Sequence, residues 1–313
     1  MPVLAQNPSY GVPRNSTPGG TFLSGRPLAC GNPECSRSWL AFLKDRRRPV
    51  FERAWGCSPH CIATIVETAV RRELGEQGRA IGDRPHRHRM PLGLILLQQG
   101  RITHAQLQRA LDLQRRARSG SIGQWLIEQC GLPQECVTHA LGMQWGCPVV
   151  SVDGFIPNAM ALAVPRLLVE RLGMLPLRIA GERILYLAFA GQPDASAAFA
   201  LERMSGLKVE CALVDQAQWR AARERLCDSD FVDAAFDQVG DTESMVKDIA
   251  FTLGKIRPIS SRLVRVHQFF WLRMWLETGP MSARDGGIPS TREDVADHIY
   301  WLAEGPGFPV NSL

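Results

Sequence analysis

No apolar run in this 313-residue chain reaches the ~20 residues that a membrane-spanning helix needs, and no apolar block follows the N-terminus as a secretory leader would. The expectation is a bacterial-type cytoplasmic protein without a transmembrane segment. Excess charge is scarce too: 36 lysines and arginines stand against 31 aspartates and glutamates, a formal +5. That balance admits an anionic ligand without demanding nucleic acid. The marks of common catalysis are missing. The single Gly-Lys pair, Gly254-Lys255, is followed by Ile256 and lacks the upstream glycine of a phosphate-cradling Gly-x-x-x-x-Gly-Lys-Ser/Thr loop. Neither His-Glu-x-x-His nor Gly-x-Ser-x-Gly occurs, so no enzyme is expected. Nine cysteines, an odd number, fit reduced thiols or a metal better than a disulfide framework.

What the chain does have is one short pattern written twice. The first copy, PLGLILLQQGRITHAQLQRALDLQ, starts at Pro91, and the second, SIGQWLIEQCGLPQECVTHALGMQ, starts at Ser121. Aligned without a gap, Gly93 falls on Gly123, Leu96 on Leu126, Ile102 on Leu132, Leu107 on Val137, Ala110 on Ala140, Leu111 on Leu141 and Gln114 on Gln144. Such a period marks one supersecondary unit used twice. Each copy reads as two short helices. Leu92, Ile95 and Leu96 lie at helical spacing, and Gly100 can take the left-handed conformation that ends a helix. Thr103 then offers an N-cap, and Gln106 completes a capping box. In the second copy Gly131 is the stop, and Pro133 suits the first turn of the next helix. The two copies are expected to pack face to face.

At these residues the chain resembles the N-terminal, MshEN-like domain of type II secretion and type IV pilus assembly ATPases. There, two motifs of the form RLGxxLxxxGxIxxxxLxxxLxxQ together bind cyclic di-GMP. The resemblance implies ligand-binding roles for Leu92, Gly93, Leu96, Gly100 and Gln114 of the first copy and for Ile122, Gly123, Leu126 and Gln144 of the second. Glycine permits close backbone approach and glutamine can hydrogen-bond a guanine edge. The sequence departs from the motif where Pro91 and Ser121 replace the leading arginines and Cys130 replaces the later glycine. The phosphate-binding loop of the family's ATPase half is not found in this sequence.

Before the repeat, residues 1–27 are rich in Pro, Gly, Ser and Asn and read as a disordered arm. Four cysteines then sit in two pairs, Cys30 with Cys35 and Cys57 with Cys61, each bracketing a tight turn and the second with His60 beside it. Such pairs present thiolates to a tetrahedral zinc ion; the other reading is small buried thiols in a helix-turn element. A segment with so little apolar content gains from such a staple, and four thiolates leave no open catalytic position. Between the pairs, residues 44–49 form a basic run near Trp39, Phe42, Phe51 and Trp55. It reads as a solvated face or, with Arg115, Arg116 and Arg118 further on, as a nucleic-acid contact. Residues 62–74 read as a helix. A basic linker follows, in which His86 and His88 are expected to be exposed and Arg87 and Arg89 stand just ahead of the first motif.

Beyond the repeat the period changes. A short strand is expected at 149–152, a helix at 164–172 stopped by Gly173, and a hairpin from strands at 174–179 and 183–190. Asp194 is expected to cap a helix ending near Gly206, a strand to run over 208–214, and Asp215 to cap a helix to Leu226. This order again resembles the secretion-ATPase domain. In residues 227–313, helices are expected at 241–253, at 263–276, where Phe269, Phe270, Trp271 and Trp275 accompany Arg265 and Arg273 with Arg262 just ahead, and from Thr291 with Val295, Ile299 and Leu302 on its buried face. The aromatic helix could lie on a membrane or partner groove or dock on its own domain. The expected fold class is α+β. Its parts are a disordered arm (1–27), a four-cysteine zinc module (28–75), a basic linker (76–90), a GspE-N-like domain (91–226) made of a helical repeat (91–148) and an α/β part (149–226), and a helical C-terminal extension (227–313). The expected function is regulation or adaptation, through cyclic di-GMP or a secretion- or pilus-type protein partner; a zinc-containing nucleic-acid-associated protein is the alternative.

Overall fold

The computed structural model describes residues 30–35, 48–82, 89–276 and 287–303, and the strand pair Phe22–Leu23 (β1) and Arg26–Pro27 (β2). Most of the N-terminal arm, Trp39, Phe42, residues 44–47, residues 84–88 with Arg87, His86 and His88, and residues 281–286 of a loop expected at 281–289 lie outside the described residues. β1 and β2 pair antiparallel inside the arm expected to be disordered; a ladder two residues long leaves no period in a sequence. Next come a two-stranded knuckle, Val50–Phe51 (β3) and Ala54–Trp55 (β4), and a helix, Pro59–Gly82 (α1). α1 runs eight residues past the expected end at 74 and into the expected linker. One internal glycine such as Gly75 costs a helix only about 1 kcal/mol.

The doubled pattern folds as Leu92–Gln98 (α2), His104–Ala117 (α3), Ile122–Cys130 (α4) and Gln134–Trp145 (α5). Thr103 and Gln106 form the expected capping box. Gly100 takes φ +66° after α2, whereas the left-handed stop of the second copy is Gly131 at φ +65°. Cys130 therefore stays helical, and the register is recovered one residue later. α3 packs on α4 and α2 on α5, so the copies exchange partners about a pseudo-two-fold axis. Their core is shared: Leu92, Ile95, Leu96, Ile102, Leu107 and Ala110 meet Leu126, Leu132, Val137 and Ala140.

Downstream run Pro157–Ala161 (α6), Arg166–Leu172 (α7), Leu175–Ala180 (β5), Ile184–Phe189 (β6), Ala195–Ser205 (α8), Lys208–Leu213 (β7) and Gln216–Cys227 (α9). β5 and β6 are antiparallel, β6 and β7 parallel. The caps fall where the side chains call for them. Asp194 accepts from the backbone N–H groups of Ser196 and Ala197, Asp215 from those of Ala217 and Gln218, and Gly173 and Gly206 close α7 and α8 with positive φ. The strand expected at 149–152 is reduced to one bridge, from Val149 to Leu213.

The described part of residues 227–313 is not a helical extension. It gives Ala234–Val239 (β8), Thr242–Ile256 (α10), Ser260–Val266 (β9), Phe269–Trp275 (β10) and Val295–Leu302 (β11), the last after a short 3-10 turn at Arg292–Asp294. The strands form one sheet in the order β8-β11-β10-β9. The expected aromatic helix is the β9–β10 hairpin, turning at His267 with φ +54° and no glycine to announce it. Both faces of β10 are covered, so all but one of its positions are apolar and the alternation that marks a strand disappears. Val264, Val266, Phe269, Trp271, Trp275, Val295 and Ile299 face the α/β part, while Leu263, Phe270, Leu272, Met274 and Tyr300 face α1 and α10. The helix expected from Thr291 fails for the same reason, since β11 is a central strand.

The cysteine segment is likewise not a separate module. Ile62, Ile65, Val66, Ala69 and Val70 of α1 share one core with Met245, Ile249 and Leu253 of α10 and with the sheet. On the sheet's other face, Arg273 and Asp297 are fully buried. Nε and Nη2 of Arg273 donate to the two carboxylate oxygens at 2.8 and 2.7 Å, and the Trp271 indole donates to the first at 2.8 Å. Nη1 reaches the carbonyl oxygens of Leu162 and Ala163, at the end of α6. Losing either partner would strand a buried charge, at a cost of about 3–5 kcal/mol.

Candidate functional site

The residues that the resemblance assigns to a ligand divide into two kinds. Leu92, Gly93, Leu96, Gly123 and Leu126 are buried in the helical unit, Ile122 is half-buried, and Gly100 sits in the turn after α2. The two motif glycines have matching duties. A Cβ on Gly93 would lie 2.6 Å from Cδ1 of Leu107, and one on Gly123 would lie 2.8 Å from Cγ1 of Val137. Their missing side chains are thus filled by the following helix of the same copy.

The glutamines are also matched, across the copies. Gln114 donates from Nε2 to the carbonyl oxygen of Gly120, the residue before the second copy, at 2.9 Å. Gln144 donates to the carbonyl oxygen of Met90, the residue before the first copy, at 3.0 Å. Each copy therefore holds the start of the other. Beside Gln144, the guanidinium of Arg89 stacks on the ring of Trp145, 4.1 Å from its centroid. This stack places a cation two residues ahead of Pro91, where the motif arginine is missing. In the other half, the Trp125 indole donates to the carbonyl oxygen of Ser119 at 3.0 Å. Met90, Leu94 and Met143 leave an exposed apolar rim near the first half. Sequence reasoning singled out Arg89 but not Trp145; an aromatic directly after the motif glutamine was the available signal.

The second constellation is the cysteine centre. The Sγ atoms of Cys30, Cys35, Cys57 and Cys61 all lie within 4.8 Å of one another, with Cys35–Cys57 at 3.3 Å and Cys57–Cys61 at 3.6 Å. Thiolates ~2.3 Å from a tetrahedral ion stand about 3.8 Å apart, so these four could hold a metal ion. The turns aim them. Cys35 N–H bonds the Asn32 carbonyl, the Asn32 side chain accepts from Glu34 N–H, and Gly31 has room for no Cβ, which would sit 2.5 Å from that of Ala54. Two N–H groups point at sulfur: Cys57 N–H at Cys30, and the Asn32 amide at Cys61, each at 3.4 Å. Burial and the thiols of Cys35 and Cys61 push Cys57 up to about 12. At Cys61 burial opposes ionisation, but hydrogen bonds from Ser58, Asn32 and Cys57 prevail and bring it down to about 6. Four sulfurs converging on one point are a site that a cation would complete. His60 is exposed on the first turn of α1 and is no part of the cluster. Asn32 and Ser58, which support the sulfurs, were legible only as turn residues.

Residues 145–232 match the family model of the MshEN domain. The match covers the α/β part and begins at the last residue of α5, after the doubled pattern. Among solved structures, one of MshE with cdg is 25% identical over 44% of this chain and 99% of that one, with a TM-score of 0.38. The N-terminal domain of XpsE is 18% identical over 46% of this chain and 96% of that one, with a TM-score of 0.32. A second crystal form of the XpsE domain is 19% identical over 42% and 90%, with a TM-score of 0.26. No curated protein matches the chain. Among the described residues, no helix is long and apolar enough to cross a membrane.

Proposed function

We propose that this chain, which carries an MshEN domain at residues 145–232, is a non-enzymatic regulatory or adaptor protein. Its helical unit senses cyclic di-GMP, its folded body docks on a secretion- or pilus-type protein partner, and zinc is the metal of its cysteine centre. The observation that carries the ligand reading is the pseudo-two-fold exchange of Gln114 and Gln144. A two-fold symmetric dinucleotide suits a surface whose two halves repeat each other, and each glutamine can trade a backbone carbonyl for a guanine edge. The absent motif arginines weaken such a site. A charge-assisted hydrogen bond is worth about 1.5–3 kcal/mol, so losing two lowers affinity by roughly a hundredfold or more. Arg89, stacked on Trp145, recovers part of that at one half only.

Titration calorimetry of the full chain with cyclic di-GMP is the test. Weak binding is expected, lost in the Gln114→Ala, Gln144→Ala double variant and strengthened by Pro91→Arg with Ser121→Arg. Absence of binding to the parent and to the arginine-restored variant would end the ligand reading. A parallel titration with duplex DNA over a salt series addresses the nucleic-acid alternative, whose phosphate contacts would show a steep salt dependence.

A further inference from the structure

The cysteine centre lies near one end of the sequence, yet the parts it touches are fastened to the other end. β3 runs beside β9, the edge strand of the C-terminal sheet. Val50 N–H donates to the carbonyl oxygen of Pro258 at 3.0 Å, and Glu52 N–H to that of Ser261 at 2.9 Å. The Ser261 hydroxyl donates back to the carbonyl oxygen of Val50 at 2.8 Å. Further along the same edge, carboxylates take over from carbonyls. Leu263 N–H donates to the Glu52 side chain at 2.9 Å and Arg265 N–H to that of Glu73 at 3.0 Å. Glu73 is buried, and its other oxygen accepts from Arg72 and from Arg203 of α8. The edge that would otherwise offer unpaired backbone groups is thus closed by residues 50–73.

The centre sets the geometry of that closure. Cys57 ends the knuckle, Cys61 lies in the first turn of α1, and Cys30 and Cys35 clamp over both. Gly31 N–H bonds the carbonyl oxygen of Trp55 at 2.9 Å. A Cβ on Gly56 would lie 2.6 Å from the side chain and 2.8 Å from the backbone nitrogen of Ile62, so the knuckle is pressed onto α1. The two-residue strands β3 and β4 are too short to hold this arrangement alone. Four sulfurs joined through one ion would fix the angle at which β3 leaves the knuckle and α1 enters the shared core with α10.

We infer that the cysteine centre is a structural tetrathiolate zinc site whose occupancy is the folding condition of a discontinuous domain. That domain joins residues 30–35 and 48–82 to residues 234–276 and 287–302, and the helical unit and MshEN domain are inserted in its middle. The inference rests on the zinc reading above and adds to it a consequence some 200 residues away in sequence. Zinc, with no ligand-field preference, suits four converging thiolates, and a closed shell of four sulfurs leaves no position for catalysis. Metal binding to such a set is folding free energy for whatever the set holds in place.

The test uses the full chain purified without chelator. Elemental analysis should give one zinc per chain and no visible iron–thiolate absorption. Zinc is then removed with the chelator 1,10-phenanthroline, which leaves the free thiols of Cys130 and Cys136 in α4 and α5 unmodified, while backbone hydrogen exchange is followed. Peptides covering β9, β10 and α10 should exchange about tenfold faster or more on release, and peptides covering α2 to α5 should be unchanged. Cys35→His, which keeps four ligands, should retain zinc and the protection of β9, while Cys35→Ala should lose both. A folded, protected chain containing no zinc, or iron in its place, would overturn both the zinc reading and the joint. Zinc bound and released with β9 protection unmoved would overturn the joint alone.

Discussion

Leu96 and Leu126 are both fully buried, Ala110 and Ala140 likewise, and Leu107 and Val137 are left 8% and 7% exposed. Their surroundings differ sharply in charge. Residues 91–120 carry five arginines and one aspartate, whereas residues 121–150 carry two glutamates and neither lysine nor arginine. Duplication has therefore kept the inward positions, where a change of volume is felt at once, and released the outward ones, where charge is cheap to alter. The caps lie between these extremes. Thr103 and Pro133 start equivalent helices by different chemistry, a capping box in one and a fixed φ in the other.

The comparison breaks most visibly if the buried pair is unequal. Leu96→Ala and Leu126→Ala should each cost about 2–5 kcal/mol in denaturant unfolding and differ by less than either costs. A large effect from one and none from the other would show that the shared core belongs to one copy. Next come the packing glycines. Gly93→Ala and Gly123→Ala should destabilise by about 1–3 kcal/mol, because the new methyl meets Leu107 or Val137 inside van der Waals contact. Smaller again are the glutamines. Gln114→Ala and Gln144→Ala should each cost about 0.5–1.5 kcal/mol, toward the low end because both side chains are partly exposed.

The smallest expected effect separates the helical unit from the joint between α8 and the β9–β10 turn. There, His267 Nε2 meets Asp194 at 2.6 Å. The hydrogen bond to Asp194 raises the histidine above its usual 6.5, against an opposing contribution from burial. Burial also opposes the ionised form of Asp194, but its bonds to His267, Ala197 and Ser196 hold it below 3.8. The histidine's contribution is complete below about 6.5 and is lost as pH rises through its raised value. The aspartate's is complete above about 3.8 and is lost as pH falls through its lowered value. The pair is strongest between those limits. Hydrogen exchange at Ser196 and Ala197 should accelerate from pH 6 to 9 beyond the intrinsic chemical rate, and amides of α2 to α5 should not.

The helical unit and the α/β part were legible because their signals are local. A glycine or aspartate at a helix end does its work within one turn, so Thr103, Gly173, Asp194, Gly206 and Asp215 could be placed from the sequence. The C-terminal sheet was not legible, because what distinguishes it is long-range. Burial on two faces erases the period of β10 and β11, and the spacing of Val295, Ile299 and Leu302 fits a helix as well as a strand. Nor does anything near Val50 or Glu73 announce a partner some two hundred residues away. The four cysteines could be grouped from their turns. Their connection to β9 could not, since backbone N–H groups carry no side-chain signature. Arg89 was visible as a cation before the motif, but its stacking on Trp145 depends on the exchange of helices between copies.

That exchange gives the helical unit the topology of a symmetric dimer whose two subunits share one chain. α2 finds its partner in α5 and α3 in α4, and each glutamine secures the residue that leads into the opposite half. A fragment holding one copy would keep its capping signals and lose half of its core. Two such fragments carry everything needed to rebuild the four-helix body about a true two-fold axis. The loop at residues 118–121 is then a tether that raises the effective concentration of one half for the other rather than a part of the architecture.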